Sequence, residues 1–191
     1  MWPEIKRKFF HLGGLIYVAG LIYIPRPAYL GLLTAWAFIE GLFEAARLKN
    51  PAFNEWIYSR FGGLMRDKER QHISGIFWMI LGVLTSVSIA RPVPIAAASI
   101  LYLLLGDGVA SLVGKRFGGP AWPRSNKRVS GSLACFLACV VIGKFLLEPL
   151  YGWPMVFIGA AAATVLELIS TPIDDNLLIP TGTAFVLLLC S

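Results

Sequence analysis

Residues 101–119, LYLLLGDGVASLVGKRFGG, contain the most informative pattern in this chain. An apolar segment carries one carboxylate, Asp107, and ends in the cations Lys115 and Arg116. In an α-helix Asp107, Ser111 and Lys115 share one face, because residues four apart lie one above the other. Since a charged side chain inside a membrane helix is costly, Asp107 is a candidate functional residue.

Small residues form a second stripe beside that polar face. Gly106, Ala110, Gly114 and Gly118 recur every four residues, and such spacing lets two membrane helices approach closely. We therefore expect a partner backbone on one face and Asp107 on the neighbouring face. An ordinary packing helix, in which Asp107 pairs with a nearby Lys or Arg, is the alternative interpretation.

The composition of the 191 residues indicates an integral membrane protein. Apolar residues make up 57% of the chain, charged residues 15%, and the mean hydropathy is +0.68, which excludes an ordinary soluble domain. A net charge of +6 would suggest nucleic acid in a soluble protein. Here the cations lie between apolar segments, where topology and anionic headgroups explain them, so no nucleic acid partner is expected.

Hydropathy predicts an all-α, polytopic fold with seven transmembrane helices in a single domain over residues 1–191. A spanning helix needs about 17 to 25 apolar residues. The candidate spans are residues 11–25, 27–46, 73–90, 92–114, 131–149, 152–170 and 176–191.

The distribution of cations predicts the orientation in the cell membrane. With a cytoplasmic N-terminus, 14 of the 17 Lys and Arg residues fall in cytoplasmic segments, and only Arg26, Arg91 and Lys144 fall outside. Cytoplasmic loops carry such an excess of Lys and Arg, so the C-terminus is predicted outside. All acidic residues except Glu148 also fall at or near the cytoplasmic segments. We therefore expect the active site on the cytoplasmic face.

A basic cluster precedes the first apolar segment. Glu4, Lys8 and His11 share one helical face, with Arg7 beside them. Such a cluster suits phosphate oxygens. An amphipathic helix that meets anionic lipid is the alternative interpretation.

Two cytoplasmic connections carry further charge. Residues 47–72 alternate in sign, and most of this segment is expected to be a solvated, mutually paired surface. Residues 114–132 combine glycines with Lys127 and the hydroxyls of Ser130 and Ser132, directly before a predicted helix. Backbone amides at a helix start, together with cations, predict a phosphate-binding loop, although the order of residues is not that of a Walker A loop.

Carboxylates surround the last predicted cytoplasmic connection. Glu167 precedes it, and Asp174 and Asp175 follow. Mg²⁺ favours a few carboxylates, waters and substrate phosphates, so these residues and Asp107 predict a magnesium site. A polar turn would explain Asp174 and Asp175 alone, but it would not explain Glu167 and Asp107 at the same membrane face.

Taken in chain order, these motifs resemble the polyprenol kinase family, which includes dolichol kinase, phytol kinase and CTP-dependent diacylglycerol kinase. The resemblance spans nearly the whole chain, although eukaryotic dolichol kinases look much longer. The matching positions are Glu4, Arg7, Lys8 and His11, then Gly106, Asp107, Ala110, Gly114 and Gly118, then Lys127, Ser130, Gly131 and Ser132, then Glu167, Asp174, Asp175, Asn176 and Pro180.

The resemblance implies transfer of the γ-phosphate of CTP, with Mg²⁺, to the hydroxyl of a membrane lipid alcohol. Polyprenol, dolichol, phytol, geranylgeraniol and diacylglycerol stay open as the acceptor. The expected partners are this lipid, the nucleoside triphosphate and the bilayer, and the sequence leaves a homo-oligomer open.

The motifs and the resemblance together give the candidate site residues. The catalytic candidates are Asp107, Arg7, Lys8 and His11. The nucleotide-binding candidates are Gly106, Ser111, Gly114, Lys115, Lys127, Ser130 and Ser132. The metal-binding candidates are Asp107, Asp174, Asp175 and Glu167. The sequence leaves two roles open for Asp107, metal ligand or general base.

Two other functions are compatible with parts of the sequence. A lipid cytidylyltransferase also places an Asp-containing, glycine-spaced helix before a Lys-rich loop, but attacks the α-phosphate of CTP and releases pyrophosphate. A transporter or membrane scaffold would need a polar pathway through the bilayer, and the outer halves of the predicted helices offer no matching carboxylates.

Overall fold

The computed structural model describes residues 13–62, 65, 67–123, 125, 127–169 and 173–191. Within these ranges every regular element is a helix, apart from one isolated β-bridge, so the all-α class is confirmed. The basic N-terminal cluster lies outside the described residues. It comprises Glu4, Arg7, Lys8 and His11.

Eight helices follow one another in the described residues. They are α1 Leu15–Tyr23, α2 Arg26–Lys49, α3 Pro51–Phe61, α4 Gly75–Ile89, α5 Val93–Phe117, α6 Val129–Leu146, α7 Glu148–Leu168 and α8 Asp175–Cys190. A 3-10 turn, Asp67–Arg70, precedes α4.

Four of these helices, α2, α5, α6 and α7, are long and apolar enough to cross a membrane. The apolar helices α4 and α8 contain 15 and 16 residues, fewer than the roughly 20 that span a bilayer. Each predicted span overlaps a helix, but the count of seven spans and the orientation of the termini stay predictions.

Helix α5 lies at the centre of the bundle. In the most apolar 18-residue stretch of α5, 61% is buried. The corresponding shares are 22% for α2, 33% for α6 and 28% for α7. The outer helices therefore leave most of their apolar surface on the outside, which is the arrangement expected of a protein surrounded by lipid.

Helix α5 is not a regular α-helix throughout. Tyr102–Asp107 form a π-helical section between two α-helical parts, and Asp107 is its last residue. The apolar periodicity of the sequence gave no indication of this wider turn. Single π turns are rare and occur frequently at functional sites.

The small-residue stripe on α5 packs against α6, as predicted. A Cβ atom at Gly131 of α6 would lie 2.7 Å from the main-chain oxygen of Ala110 and 3.4 Å from Cα of Gly114. The stripe ends at Gly118, whose φ of +63° is the left-handed conformation that favours glycine. Close backbone contact thus joins α5 to α6 along Ala110 and Gly114.

Most of the described residues between 47 and 72 are exposed or half-exposed, as predicted, and Arg47, Ile57 and Glu69 are the buried exceptions among them. Pro51–Phe61 form helix α3, which Asn50 caps by accepting a hydrogen bond from the amide of Phe53 at 3.1 Å. Arg47 is fully buried, and so is Glu44 apart from 4% of its surface. Charge alternation could not reveal this burial, because paired charges look alike in sequence whether they are exposed or enclosed.

Arg47 joins three elements through a buried network. Its guanidinium Nη2 lies 2.7 Å from Oε2 of Glu44, and the same carboxylate accepts from the amide of Ser74 at 2.9 Å. A buried ion pair repays its desolvation only when its other hydrogen bonds are satisfied. The guanidinium also donates to Oδ1 of Asn54 and to the main-chain oxygens of Glu69 and His72. The network connects the end of α2 to α3 and to the start of α4.

The close contact at Gly131 predicts a steric effect. Gly131→Ala should lower the stability by about 1–3 kcal/mol, because the added methyl group would meet main-chain atoms that cannot rotate away. The apparent melting temperature of the purified protein in detergent measures the effect.

The matched control is Gly31→Ala in α2, where a Cβ atom would have no neighbour within 4 Å. That change should be neutral or slightly stabilising, since alanine favours a helix over glycine. An equal loss in both variants would contradict the packing role of Gly131.

Candidate functional site

Charged residues that are far apart in sequence meet at one end of the bundle. Nζ of Lys127, in the connection between α5 and α6, lies 3.0 Å from Oε1 of Glu167 and 3.1 Å from Oδ2 of Asp175. The ammonium also donates to the main-chain oxygen of Glu167. Lys127 therefore links the end of α7 to the first residue of α8.

Asp107 completes this group from the central helix. Its side chain is half-buried, and its charge repels the carboxylates of both Glu167 and Asp175. We call Asp107, Lys127, Glu167 and Asp175 the Lys127 cluster. Three of the four predicted metal-binding residues and one predicted nucleotide-binding residue are thus brought together.

Glu167 has an unusual oxygen. The residue is 6% exposed, and its Oε2 is buried without a hydrogen-bond partner among the described residues. A buried carboxylate oxygen without a partner is unfavourable. This oxygen is therefore able to accept a cation or a hydrogen-bond donor.

The surroundings keep Lys127 charged. Burial lowers the pKa of its ammonium, but the negative charges of Asp175 and Glu167 and their hydrogen bonds outweigh that effect, so the pKa is raised above its ordinary value. At neutral pH the cluster consequently contains one ammonium among three acidic side chains.

The turn of the chain after α5 places Lys127 in the cluster. Gly118 and Gly119, with φ of +63° and +93°, turn the chain back. The amide of Trp122 then donates to the main-chain oxygen of Lys127 at 3.0 Å, and Arg128 donates to that of Gly119 at 2.9 Å. These bonds close the connection into a narrow hairpin with Lys127 on its returning arm.

Two of the three predicted nucleotide-binding serines, Ser130 and Ser132, have contacts with this hairpin. Oγ of Ser130 donates to the main-chain oxygen of Gly118, and Oγ of Ser132 accepts from Nε1 of Trp122 at 3.1 Å. Both hydroxyls stabilise the turn before α6, and their contact with a nucleotide stays a prediction.

The remaining candidates on α5 lie on both sides of Asp107 in the chain. Ser111 is half-buried and Lys115 is exposed, on the face predicted from their spacing. A Cβ atom at Gly106 would meet Sγ of Cys139 at 2.8 Å, and Gly114 is buried against α6. Packing accounts for both glycines, and their role in nucleotide binding stays a prediction.

The start of α8 is positioned by α4. Asp174 caps α8 by accepting from the amide of Asn176 at 3.2 Å, and its Oδ2 lies 3.6 Å from Nζ of Lys68. The side chain of Asn176 donates to the main-chain oxygen of Gly75, the first residue of α4, at 3.0 Å. Asp174 thus has a structural role beside its predicted role as a metal ligand.

Gly82 of α4 is a site-positioning residue that the sequence analysis missed. A Cβ atom there would overlap the main-chain oxygen of Asn176 and lie 2.7 Å from Cγ of Pro180. Only glycine lets α8 lie this close to α4, and this approach sets the position of Asp175. A glycine at the middle of an apolar segment gives no such indication by itself.

The described residues contain no group of three or more His, Cys, Asp or Glu side chains arranged to hold a metal ion. The four predicted ligands therefore do not form a complete protein cage. Mg²⁺ does not require one, because substrate phosphates and waters supply most of its ligands in nucleotide sites. The predicted magnesium site stays a prediction.

Known proteins resemble this chain over most of its length. CTP-dependent diacylglycerol kinase 1 of Schizosaccharomyces pombe is 31% identical over 94% of this chain and 83% of its own length. The chain belongs to the polyprenol kinase family. Phytol kinase of Synechocystis, another relative in this family, is 27% identical over 96% of the chain and 78% of its own length.

A further relative matches only in part. CTP-dependent diacylglycerol kinase 1 of Eremothecium gossypii is 34% identical over 72% of this chain, and the match spans 44% of that protein's length. No family model matches the chain, and no solved structure matches it. The named members of the polyprenol kinase family are lipid kinases, which supports a phosphotransferase activity and confirms the resemblance seen in the motifs.

The ion pairs of Lys127 predict a stabilising role. Lys127→Met should lower the stability by about 2 kcal/mol, because it leaves two carboxylates without their cation. The loss should be smaller than the about 3–5 kcal/mol of a fully enclosed pair, since the Lys127 side chain keeps 27% of its exposure. Thermal unfolding in detergent measures it.

Two further variants test whether the loss of stability comes from the charge of Lys127. Asp175→Asn added to Lys127→Met should recover part of the loss, because it removes one uncompensated carboxylate. Lys144→Met, at an exposed position at the opposite end of α6, should change the melting temperature little. Equal losses at positions 127 and 144 would argue against the ion pairs.

Proposed function

We propose that the protein is a CTP-dependent kinase that transfers the γ-phosphate to the hydroxyl of a membrane lipid alcohol on the cytoplasmic face. The observation that carries the proposal is the Lys127 cluster at one end of an apolar helical bundle, in a family whose named members are lipid kinases. An acceptor lipid can keep its tail beside apolar helices while its hydroxyl reaches these charges.

We infer that the acidic side chains of the cluster contribute to a divalent-cation site together with waters and donor phosphates, since no group of three or more described side chains is arranged to hold an ion by itself. Asp107, Glu167 and Asp175 repel one another, and Oε2 of Glu167 has no hydrogen-bond partner among the described residues. These three residues would hold Mg²⁺ together with donor phosphates. When bound, Mg²⁺ would supply positive charge that offsets the negative charge of the donor phosphates.

Lys127 can serve the nucleotide in a second arrangement. Its ammonium has three donors, which now contact the oxygens of Glu167 and Asp175. A triphosphate would compete with the carboxylates for these N–H donors. A bound cation would offset the charge of the carboxylates, and Lys127 could then leave them at a lower cost in free energy. The hairpin position allows the side chain to turn toward phosphate while its backbone stays in place.

In this proposal the acceptor hydroxyl approaches Asp107. It is ten residues before the end of α5 at Phe117, or about 15 Å along the helix axis. At that depth its carboxylate can accept the proton of the attacking hydroxyl or hold the metal. Arg7 and Lys8 complete the proposal as groups that neutralise phosphate charge from the N-terminal segment, and His11 beside them stays a catalytic candidate.

The proposed reaction predicts a labelling pattern. Purified protein in lipid vesicles with Mg²⁺ should transfer label from γ-labelled CTP, and none from α-labelled CTP, into the organic phase. The acceptors to compare are diacylglycerol, dolichol, phytol, farnesol and geranylgeraniol, and the alcohol that carries label identifies the substrate. Unlabelled ATP and CTP, added as competitors, measure the preference for the donor.

Two outcomes would contradict the kinase. Label from α-labelled CTP alone, with phosphatidate as the acceptor, would indicate a cytidylyltransferase. Absence of label from both nucleotides, with every acceptor, would favour a transporter or scaffold.

Removal of the Asp107 charge should abolish turnover. Asp107→Asn keeps the shape of the side chain but weakens both metal binding and proton acceptance, so kcat should fall by about 10²-fold or more. The kinase assay above measures this, and gel filtration verifies that the variant folds.

Glu148→Gln is the matched control, because it neutralises a carboxylate at the opposite end of the bundle, in the first turn of α7. It should retain activity. An Asp107→Asn protein with the kcat of the unchanged protein would remove Asp107 from the mechanism.

A further inference from the structure

Helix α3 begins at the end of a candidate membrane span, since α2 ends at Lys49 and α3 starts at Pro51. One side of α3 is buried against the protein through Ile57, which is 7% exposed. These contacts fix how α3 is rotated about its own axis.

The polar flank of α3 is occupied by the segment before α4. Asn54 donates to the main-chain oxygen of Arg70 at 2.7 Å, and Glu55 pairs with the Arg70 guanidinium. The same guanidinium lies 5.1 Å from the ring centroid of Tyr58.

The opposite flank carries Phe53, Trp56 and Arg60, which form one stripe at spacings of three and four residues. We call these three residues the aromatic flank. Phe53 and Trp56 are stacked with ring centroids 6.2 Å apart, and the Arg60 guanidinium lies 5.7 Å from the Trp56 ring. Trp56 is nevertheless 52% exposed, a large fraction for an aromatic side chain.

The aromatic flank faces back along α2. Phe53 contacts Phe43 edge to face at 5.7 Å, and Phe43 lies six residues before the end of α2, or about 9 Å inside that helix. The neighbouring α2 residues Phe38, Ile39 and Leu42 are all more than half exposed. One apolar surface therefore continues from the outer face of α2 onto the aromatic flank.

We propose that α3 lies in the membrane interface and inserts its aromatic flank into the headgroup region of the bilayer that surrounds α2. The bilayer is the occupant that the geometry favours, because the flank continues a helix face that lipid must cover if α2 spans the membrane. Trp is enriched at this depth. Arg60 can lay its stem on Trp56 and extend its charge to an anionic phosphate.

This arrangement gives α3 three distinct sides. Ile57 packs on the protein, the polar flank binds the segment before α4, and the aromatic flank meets lipid. A helix parallel to the membrane surface needs such a division of polar and apolar sides. The inference does not depend on the proposed catalytic activity.

Site-specific fluorescence tests the proposal on the intact protein. Cys190→Ser removes the exposed cysteine and leaves only the buried Cys135 and Cys139 in the described residues. Trp56→Cys in this background is labelled with an environment-sensitive fluorophore and reconstituted into phosphatidylcholine vesicles, with or without phosphatidylglycerol.

Glu55→Cys is the matched control, because the Glu55 side chain is 58% exposed and lies one residue away on the other flank. In water the two positions would behave alike. We expect a blue-shifted emission and strong quenching by doxyl-labelled lipid at position 56, and quenching by aqueous iodide at position 55. Arg60→Cys, on the same flank, should behave like position 56.

Equal iodide quenching at positions 55, 56 and 60, without quenching by doxyl lipid, would overturn the proposal and leave the flank to water or a protein partner. Doxyl quenching at all three positions would overturn the assigned orientation of α3. Anionic lipid should increase the blue shift at position 56, and Arg60→Gln should abolish that increase.

Discussion

The ammonium of Lys127, held between the carboxylates of Glu167 and Asp175, is the interaction on which the candidate site depends. It joins a hairpin, the end of α7 and the start of α8, three parts of the chain that no main-chain hydrogen bond connects among the described residues. Ionic groups at the end of an apolar bundle are costly unless they compensate one another. Under the proposed function, the same charges that stabilise this arrangement would bind a nucleotide and its metal ion, and stability and function would depend on one set of side chains.

Close backbone contacts between helices determine where the elements that carry that ion pair lie. Gly131 brings α6 against α5, and Gly82 brings α8 against α4. Apolar side chains alone could not do this in a membrane, because lipid competes equally well for them. Glycines at two crossings thus determine where the charged residues stand, although they carry no charge themselves.

Much of this arrangement could be predicted from sequence. Hydropathy located every long helix, and the face shared by Asp107, Ser111 and Lys115 follows from helical periodicity. Sequence reasoning also selected Lys127, Glu167 and Asp175, which the fold brings together. The π-helical section that ends at Asp107 was not predictable, because the apolar periodicity of the sequence does not distinguish it from a regular α-helix. Burial of Arg47 was also missed, since a charged residue at the end of a span normally faces headgroups or water; its spacing of three residues from Glu44 was the only local sign of a pair.

The network around Arg47 relies on backbone shape. Arg47 binds the main-chain oxygens of Glu69 and His72, and Asn54 binds that of Arg70. Every residue type offers the same carbonyl group, so these contacts impose little choice of side chain at positions 70 and 72. They require a fixed number of residues in this segment instead, because inserting or deleting one residue there would shift all three carbonyl oxygens at once. As far as these main-chain bonds are concerned, the side chains can change while the length stays fixed, although the Arg70 guanidinium has its own contacts with Glu55 and Tyr58.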